Sequence, residues 1–425
     1  MKPSLWRHPV FLRFFAGNTI SLIGWGFNFI ATGWLVLEET GSKVAVGEIV
    51  AVSTLPGLAL AFLAGAIIDR MNRKHLLVIL DLFRGLSVVA IPLLHLLGAF
   101  HLWQLYVMSF LVGTGSAVFW STAAAFTQEL VSERQFMTAN SLLSASYQTG
   151  ALLGSALGGF VVHAWGGHTA LALDAASYFI SAALIGSARF RPALRQDGHE
   201  SIPQLLRGGL RFVREKRLVF FYGLTAVLAD VAIWGALAVL TLALSTDILR
   251  LGARGFGLLD GAYGVGALLS TFFTLRYAHR YSRYRFLAIA YGMAGTMCFL
   301  LPDSTRLEFA LILYFFMGLP NNSARILVRT ILMEHIPNRI MGRAQTILGI
   351  VTRLLVIFST LAAGWITEVW SVATALRATS GLFFASLAGV WITRLLSPSF
   401  FQMEPGAAPF PESGAPEYIS SHPSD

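Results

Sequence analysis

Apolar residues along this chain gather into twelve runs of about twenty, separated by short polar or basic segments. At 1.5 Å of rise per residue, a helical run of that length spans the ~30 Å hydrocarbon core of a bilayer. Lipid offers no partner to backbone N–H and C=O groups, so each run must satisfy its own hydrogen bonds, and helix is the predicted state. A membrane barrel would show ten-residue strands of alternating character, and none is seen. The predicted helices cover 12–37, 44–68, 76–97, 102–126, 139–165 and 170–188, then 218–244, 256–275, 286–301, 307–332, 344–367 and 373–396. The first run is too long for the core of a cleavable leader and is read as helix 1.

Charge gives this pattern an orientation. With the N-terminus placed in the cytoplasm, twenty-two of the 31 Lys and Arg fall in inside segments and five in outside ones. That asymmetry is the positive-inside signature, with both termini cytoplasmic. The formal charge of +9 is therefore read as a topology signal and as attraction to anionic lipid. No nucleic-acid module accompanies it, so nucleic acid is not an expected partner. Only 12% of residues are charged, about half the soluble norm. The single cysteine, Cys298, excludes an internal disulfide framework. His163 and His168 flank an outside loop and are read as solvated.

The chain divides at a basic loop. An N-terminal bundle of six helices covers 1–188, a cytoplasmic linker 189–217, a second six-helix bundle 218–396, and a disordered tail rich in Pro, Ser and Gly 397–425. Within the linker, 201–213 sets Ile202, Leu205, Leu206, Leu210 and Val213 on one helical face, an amphipathic helix for the inner leaflet. The halves repeat each other. Glu129, Arg134, Ala139, Asn140 and Leu143 correspond at an offset of 205 residues to Glu334, Arg339, Ala344, Gln345 and Leu348. Two six-helix units in parallel register imply a pseudo-two-fold axis along the membrane normal.

Between helices 2 and 3 stand Gly65, Asp69, Arg70, Arg73 and Lys74. A glycine there permits close packing, a boundary carboxylate can accept from a helix N-terminus, and the basic residues face headgroups. The segment resembles the helix 2–3 signature of the major facilitator superfamily, Gly-x-x-x-Asp-Arg-x-Gly-Arg-Arg/Lys. Asn72 stands where glycine is usual, and Asn also tolerates a left-handed turn. In helix 5, Gly150, Gly154, Gly158 and Gly159 suit tight helix contacts. They resemble the helix 5 motif of drug-exporting facilitators, with Ser155 in place of its proline. The segments 17–24, 39–42, 129–131 and 139–140 look most like the enterobactin (siderophore) exporter and macrolide-efflux branch. The resemblance covers essentially 5–396. It implies an all-α membrane protein of the major facilitator fold, with Asp69 latching the cytoplasmic side against the start of helix 11.

Ionisable groups at membrane depth default to functional candidates. Asp230, Asp260, Arg325 and Arg353 are the cavity candidates, joined by Asn28 and Asn321, with Trp234 and Tyr263 as stacking surfaces for an aromatic substrate. Asn18 and Trp120 are further possibilities. Asp81 and Arg84, three residues apart, are expected to pair locally. No phosphate-binding loop, metal-ligand spacing or protease motif is found, so neither an ATP motor, a metal or other cofactor, nor an enzyme is expected. The reading is a monomeric secondary transporter of a bacterial cytoplasmic membrane. It exports a small amphipathic or aromatic compound, with protons as coupling ion and Asp230 as the carrier nearest the bilayer centre. The alternatives are a lysophospholipid or nutrient transporter of the same fold, or a non-transporting receptor or assembly partner.

Overall fold

A computed structural model describes residues 8–60, 68, 71–131, 135–190, 214–277, 282–336 and 338–401. The described chain is all-helical. Its twelve long helices are α1 Pro9–Thr40, α2 Lys43–Ala59, α3 Arg73–Leu96, α4 Leu102–Leu130, α5 Phe136–Trp165, α6 Gly167–Ser187, α7 Arg217–Ile248, α8 Gly252–Tyr277, α9 Arg283–Leu300, α10 Leu307–His335, α11 Asn338–Val369 and α12 Val372–Leu396. Most run a few residues beyond their predicted ends, because polar residues cap them. Ser42, Asn72, Ser282 and Ser371 each accept a backbone N–H at the start of a helix. Asn72 is thus an extended N-cap of α3 with φ −63°, not a left-handed turn residue.

Among the described residues, nine helices are long and apolar enough to cross a bilayer. Helices α2, α5 and α8 fall outside that group. Helix α2 is described over 17 residues, and α5 and α8 replace large apolar side chains with Gly, Ala and Ser where they face each other. Elsewhere Leu86, Phe160, Ile289 and Phe358 point outward, and Trp103, Trp165 and Trp370 ring one end. An apolar exterior with terminal tryptophans fits a hydrocarbon belt and its headgroup boundary. The protein is a multi-pass membrane protein.

The packing is paired. Helix α1 packs on α5 and α6, α3 on α4 and α6, and α2 on α4. The second six repeat this: α7 on α11 and α12, α9 on α10 and α12, and α8 on α10. The halves meet through α5 against α8 and α2 against α11, two contacts that the repeat exchanges. Side-chain chemistry repeats too. Arg73 at the start of α3 pairs with Glu129 at the end of α4 at 3.5 Å, and Arg283 at the start of α9 pairs with Glu334 at the end of α10. Glu129 and Glu334 are the equivalents at the 205-residue offset.

One end of the molecule carries the short connections α1–α2, α3–α4, α5–α6, α7–α8, α9–α10 and α11–α12; we call it the short-turn end. The other carries Arg73, Lys74, Arg283 and Arg285 and is called the basic end. Two expectations are corrected. His168 is not solvated: it stacks on His95 with ring centroids 3.6 Å apart, and its Nε2 is buried without a partner. The first residues of the supposed tail form a turn, Pro398–Phe401. There Phe400 and Phe401 bury against Tyr222, and Phe400 stacks on His335. The amphipathic segment 201–213 and the remainder of the tail lie outside the described residues.

Helix–helix closeness gives a direct test. A Cβ on Gly154 would sit 2.8 Å from Gly26 Cα, backbone against backbone. Gly154→Val should lower the thermal unfolding midpoint of the purified protein, by the about 1–3 kcal/mol typical of overpacking. Gly381→Ala, where nothing lies within 4 Å, should leave it unchanged.

Candidate substrate cavity

The candidate site lies between the halves and is built from α1, α5, α7, α8 and α10. Helix α7 supplies its irregular wall. At Ala232–Ala236 the backbone widens to a π turn, with Leu237 N–H reaching back five residues to Ala232. Such a bulge shifts the register of the helix and is common at functional positions. It follows Asp230 directly and contains Trp234, which lines the cavity. Gly235 in the same turn lies against Ser359 of α11, where a Cβ would come within 2.9 Å.

Helix α10 carries the opposing charge. Arg325 Nε lies 3.1 Å from Asp230 Oδ1; both side chains are partly exposed, and Arg325 lines the cavity. Tyr147, Tyr263 and Tyr291 are close enough to interact with the Arg325 charge. Asn321 donates to the Tyr263 hydroxyl at 3.0 Å. Asn322 lines the cavity and donates to Ala267 O at 2.9 Å. Asp260 of α8 also lines the cavity, and the Ser155 hydroxyl of α5 bonds to it from the other half. Ser155 therefore uses the position that resembles the exporters' proline to place a polar contact across the halves.

The first half adds aromatic surface. Trp25 of α1 lies 6.3 Å from Tyr147 of α5, and Trp234 of α7 lies 6.4 Å from Trp25 and 6.2 Å from Tyr147. Trp120 of α4 meets Tyr147 edge-on at 5.6 Å. Rings from both halves thus meet above an ion pair. Flat apolar faces with a few fixed polar groups suit an amphipathic aromatic ligand.

The other sequence candidates are placed as follows. Arg353 of α11 lies outside this cavity lining, its Nε 3.0 Å from where a Cβ on Gly57 would sit. Asn28 turns into the first half, where its Nδ2 donates to Asp174 Oδ2 at 2.9 Å. Gly150, Gly154 and Gly158 bring α5 onto α1 beside Leu22, Gly26 and Phe27, and Gly159 brings it onto Gly257 of α8. Gly65, Asp69 and Arg70 lie outside the described residues. Arg73 donates to Ala125 O at 2.8 Å and Lys74 to Gly186 O at 2.8 Å, both within their own half. Asp81 and Arg84 form the local pair that their spacing predicts. Sequence reasoning missed Trp25, Tyr147 and Gln148, which only the packing of α1 and α5 brings to this site. It also missed Glu368.

At the short-turn end Glu368 of α11 ties the halves together. Its Oε1 accepts from Ser42 Oγ at 2.6 Å and from Val44 N at 3.0 Å, so it completes the N-cap of α2 from the opposite half. Lys43 pairs with Asp247 of α7 at 3.1 Å beside it. Behind them, a Cβ on Gly364 would lie 2.6 Å from Lys43 O.

A model of the transmembrane secretion effector family matches residues 3–414. The chain belongs to that family, within the major facilitator transporters. Among its relatives, the multidrug efflux pump Tap of Mycolicibacterium fortuitum is 30% identical over 217 residues, which are 49% of this chain and 52% of that protein. An uncharacterized MFS-type transporter of Bacillus subtilis (strain 168), YfiS, is 25% identical over 43% of each chain. The chain thus matches about half the length of these curated relatives. The solved nucleoside transporter NupG superposes with a TM-score of 0.69 at 12% identity, over 93% of this chain and 100% of that one. The POT family transporter PepTSo gives 0.71 at 12%, over 93% and 99%. These likenesses establish the fold of a secretion effector as a major facilitator fold.

The Glu368 contacts are exposed, so their removal should act gently. In Ala238→Cys protein, whose native Cys298 is fully buried, Glu368→Ala should raise maleimide labelling from the short-turn side two- to fivefold. That is the effect of ~0.5–1 kcal/mol on an exposed contact.

Proposed function

We propose that this effector-family protein is a secondary transporter that exports a small amphipathic, aromatic compound by alternating access, driven by protons. The observation that carries this reading is the meeting of Trp25, Tyr147 and Trp234 from both halves beside the Asp230–Arg325 pair. A ligand inserted among these rings touches both halves at once. It can therefore bind differently to the two arrangements of the halves, which is what a ligand must do to shift an equilibrium. The multidrug efflux name of the Tap relatives supports export.

The reading assigns parts. Ser42, Val44 and Glu368, with Lys43 and Asp247, hold the short-turn end closed. By the positive-inside rule that end faces outward, the basic end faces the cytoplasm, and the cavity is loaded from the cytoplasmic side of a bacterial inner membrane. Asp69 remains the candidate latch for the reverse state. Asp230 is held by Arg325, so its protonation would free the guanidinium as well as neutralise a carboxylate. That coupling gives the pair a role in switching rather than in static binding.

Metabolite profiling of cells and medium with the gene deleted tests direction and cargo together. Export predicts one or more aromatic compounds accumulating inside the cells and falling in the medium; depletion inside would overturn it. In vesicles, Trp234→Ala should raise the half-saturating concentration of that compound three- to tenfold, the loss of about 0.5–1.5 kcal/mol of ring contact. Asp230→Asn should abolish the dependence of transport on an imposed pH gradient.

A further inference from the structure

The interior of the first half holds a second polar site that the cavity does not use. Asp174 of α6 is fully buried. Its Oδ2 accepts one hydrogen bond, from Asn28 of α1 at 2.9 Å, and its Oδ1 accepts none. Beside it stand Asp81 and Arg84 of α3, the charged groups that act on Asp174. Against Asp174 helix α1 places the Asn28 amide and the Gly24 surface; its charged residues, Arg13, Glu38 and Glu39, lie toward its ends. On α6 itself the neighbours are Ser177, which donates to the Asp174 carbonyl, and Tyr178, whose hydroxyl is buried without a partner.

The charges do not balance. Two carboxylates share one guanidinium, and that guanidinium is already engaged. Arg84 pairs with Asp81 and lies over the rings of Phe119 and Tyr178, 4.1 Å and 4.4 Å from their centroids. Asp81 is further satisfied by the Ser181 hydroxyl at 2.7 Å. Asp174 is left with neutral neighbours, the Asn28 amide and the Ser177 hydroxyl. A carboxylate in that condition inside a helix bundle is a buried charge without a counter-ion, and one proton removes the charge.

We propose that Asp174 is a proton-binding site and that α1 links its occupancy to the contents of the aromatic cavity. The link is a single helix. Asn28, which holds Asp174, lies between Trp25 and Phe29, which line the cavity. The contact has no slack, since a Cβ on Gly24 would meet Asp174 Oδ1 at 2.7 Å. A ligand that displaces Trp25 and Phe29 moves Asn28 and Gly24 with them, and so alters the amide donor and the glycine surface that α1 presents to Asp174. Loading the cavity and loading Asp174 with a proton then oppose or assist each other through α1, reciprocally. The second part of this proposal rests on the proton-coupled reading above; the first does not.

Infrared spectroscopy on the purified protein in liposomes tests the site without any substrate. On pH titration the wild type gains a carboxylic-acid carbonyl band that Asp174→Asn lacks; a titration spectrum unchanged in that variant overturns the site. Asn28→Ala keeps the acid but removes its donor, and should shift the same band; an unshifted band also overturns it, and this arm stands if Asp174→Asn does not fold. The link is read with ethidium as probe in vesicles with an imposed pH gradient. Expected is gradient-driven ethidium movement in wild type that falls at least fivefold in Asp174→Asn while ethidium still exchanges at equilibrium. Gradient-driven movement retained by the variant overturns the link. Wild-type ethidium movement that ignores the gradient overturns the link together with the proton-coupled reading, while the infrared result still decides the site.

Discussion

A charged side chain cannot be left facing hydrocarbon, and a backbone N–H cannot be left unpaired there. Those two demands organise the whole molecule. The second fixes twelve helices. The first gives charged groups at membrane depth a polar partner: Arg84 meets Asp81 on its own helix, while Asp174, Asp230 and Asp260 meet Asn28, Arg325 and Ser155 of other helices. Polar contacts therefore fall inside each bundle and in the space between them. The apolar exterior is what remains.

The interface between the halves answers a related problem. Apolar side chains gain little by leaving lipid for one another, so helices in a membrane associate through close packing and polar contacts. Here α5 and α8 meet at Gly159 and Gly257 backbone to backbone, and α2 and α11 meet where Gly47 faces the Thr360 backbone and Gly364 the backbone of Lys43 and Val44. The two contacts are equivalents under the internal repeat. Because they depend on shape rather than on large buried side chains, they can part without exposing a large apolar surface to the cavity. In the proposed cycle the Glu368, Lys43 and Asp247 contacts hold the short-turn end shut.

Much of the fold was legible because the bilayer imposes one length on every element. Runs of twenty apolar residues and the alternating basic loops located all twelve helices, and the 129–143 and 334–348 repeat located residues that the structure shows making equivalent ion pairs, Glu129 and Glu334. The site was less legible. Asp230, Arg325, Asp260, Trp234 and Tyr263 were named because charged or aromatic residues at depth stand out, and these line or adjoin the cavity. Asn28 was named for the same reason but faces Asp174, because which side of α1 meets α6 is set by Gly17 and Gly24 packing that no periodicity reveals. Asp174 sits seven residues past the start of α6, away from the bilayer centre where depth arguments are strongest. Glu368 reads in sequence as an ordinary helix-end acid, and only its approach to Ser42 makes it a clasp. The π turn beside Trp234 has no sequence signature in Ala232–Ala236.

In the proposed transport cycle the halves rock about the aromatic cavity, closing one end as the other opens. Pulsed electron-spin measurements of distance test it most directly. Spin labels at Glu39 and Trp370 would report the short-turn end, and labels at His75 and Arg285 the basic end, in a Cys298→Ala background. The account predicts two distance populations at each end, with conditions that lengthen one pair shortening the other. A single distance at both ends across pH and ligand, or both pairs lengthening together, would contradict it.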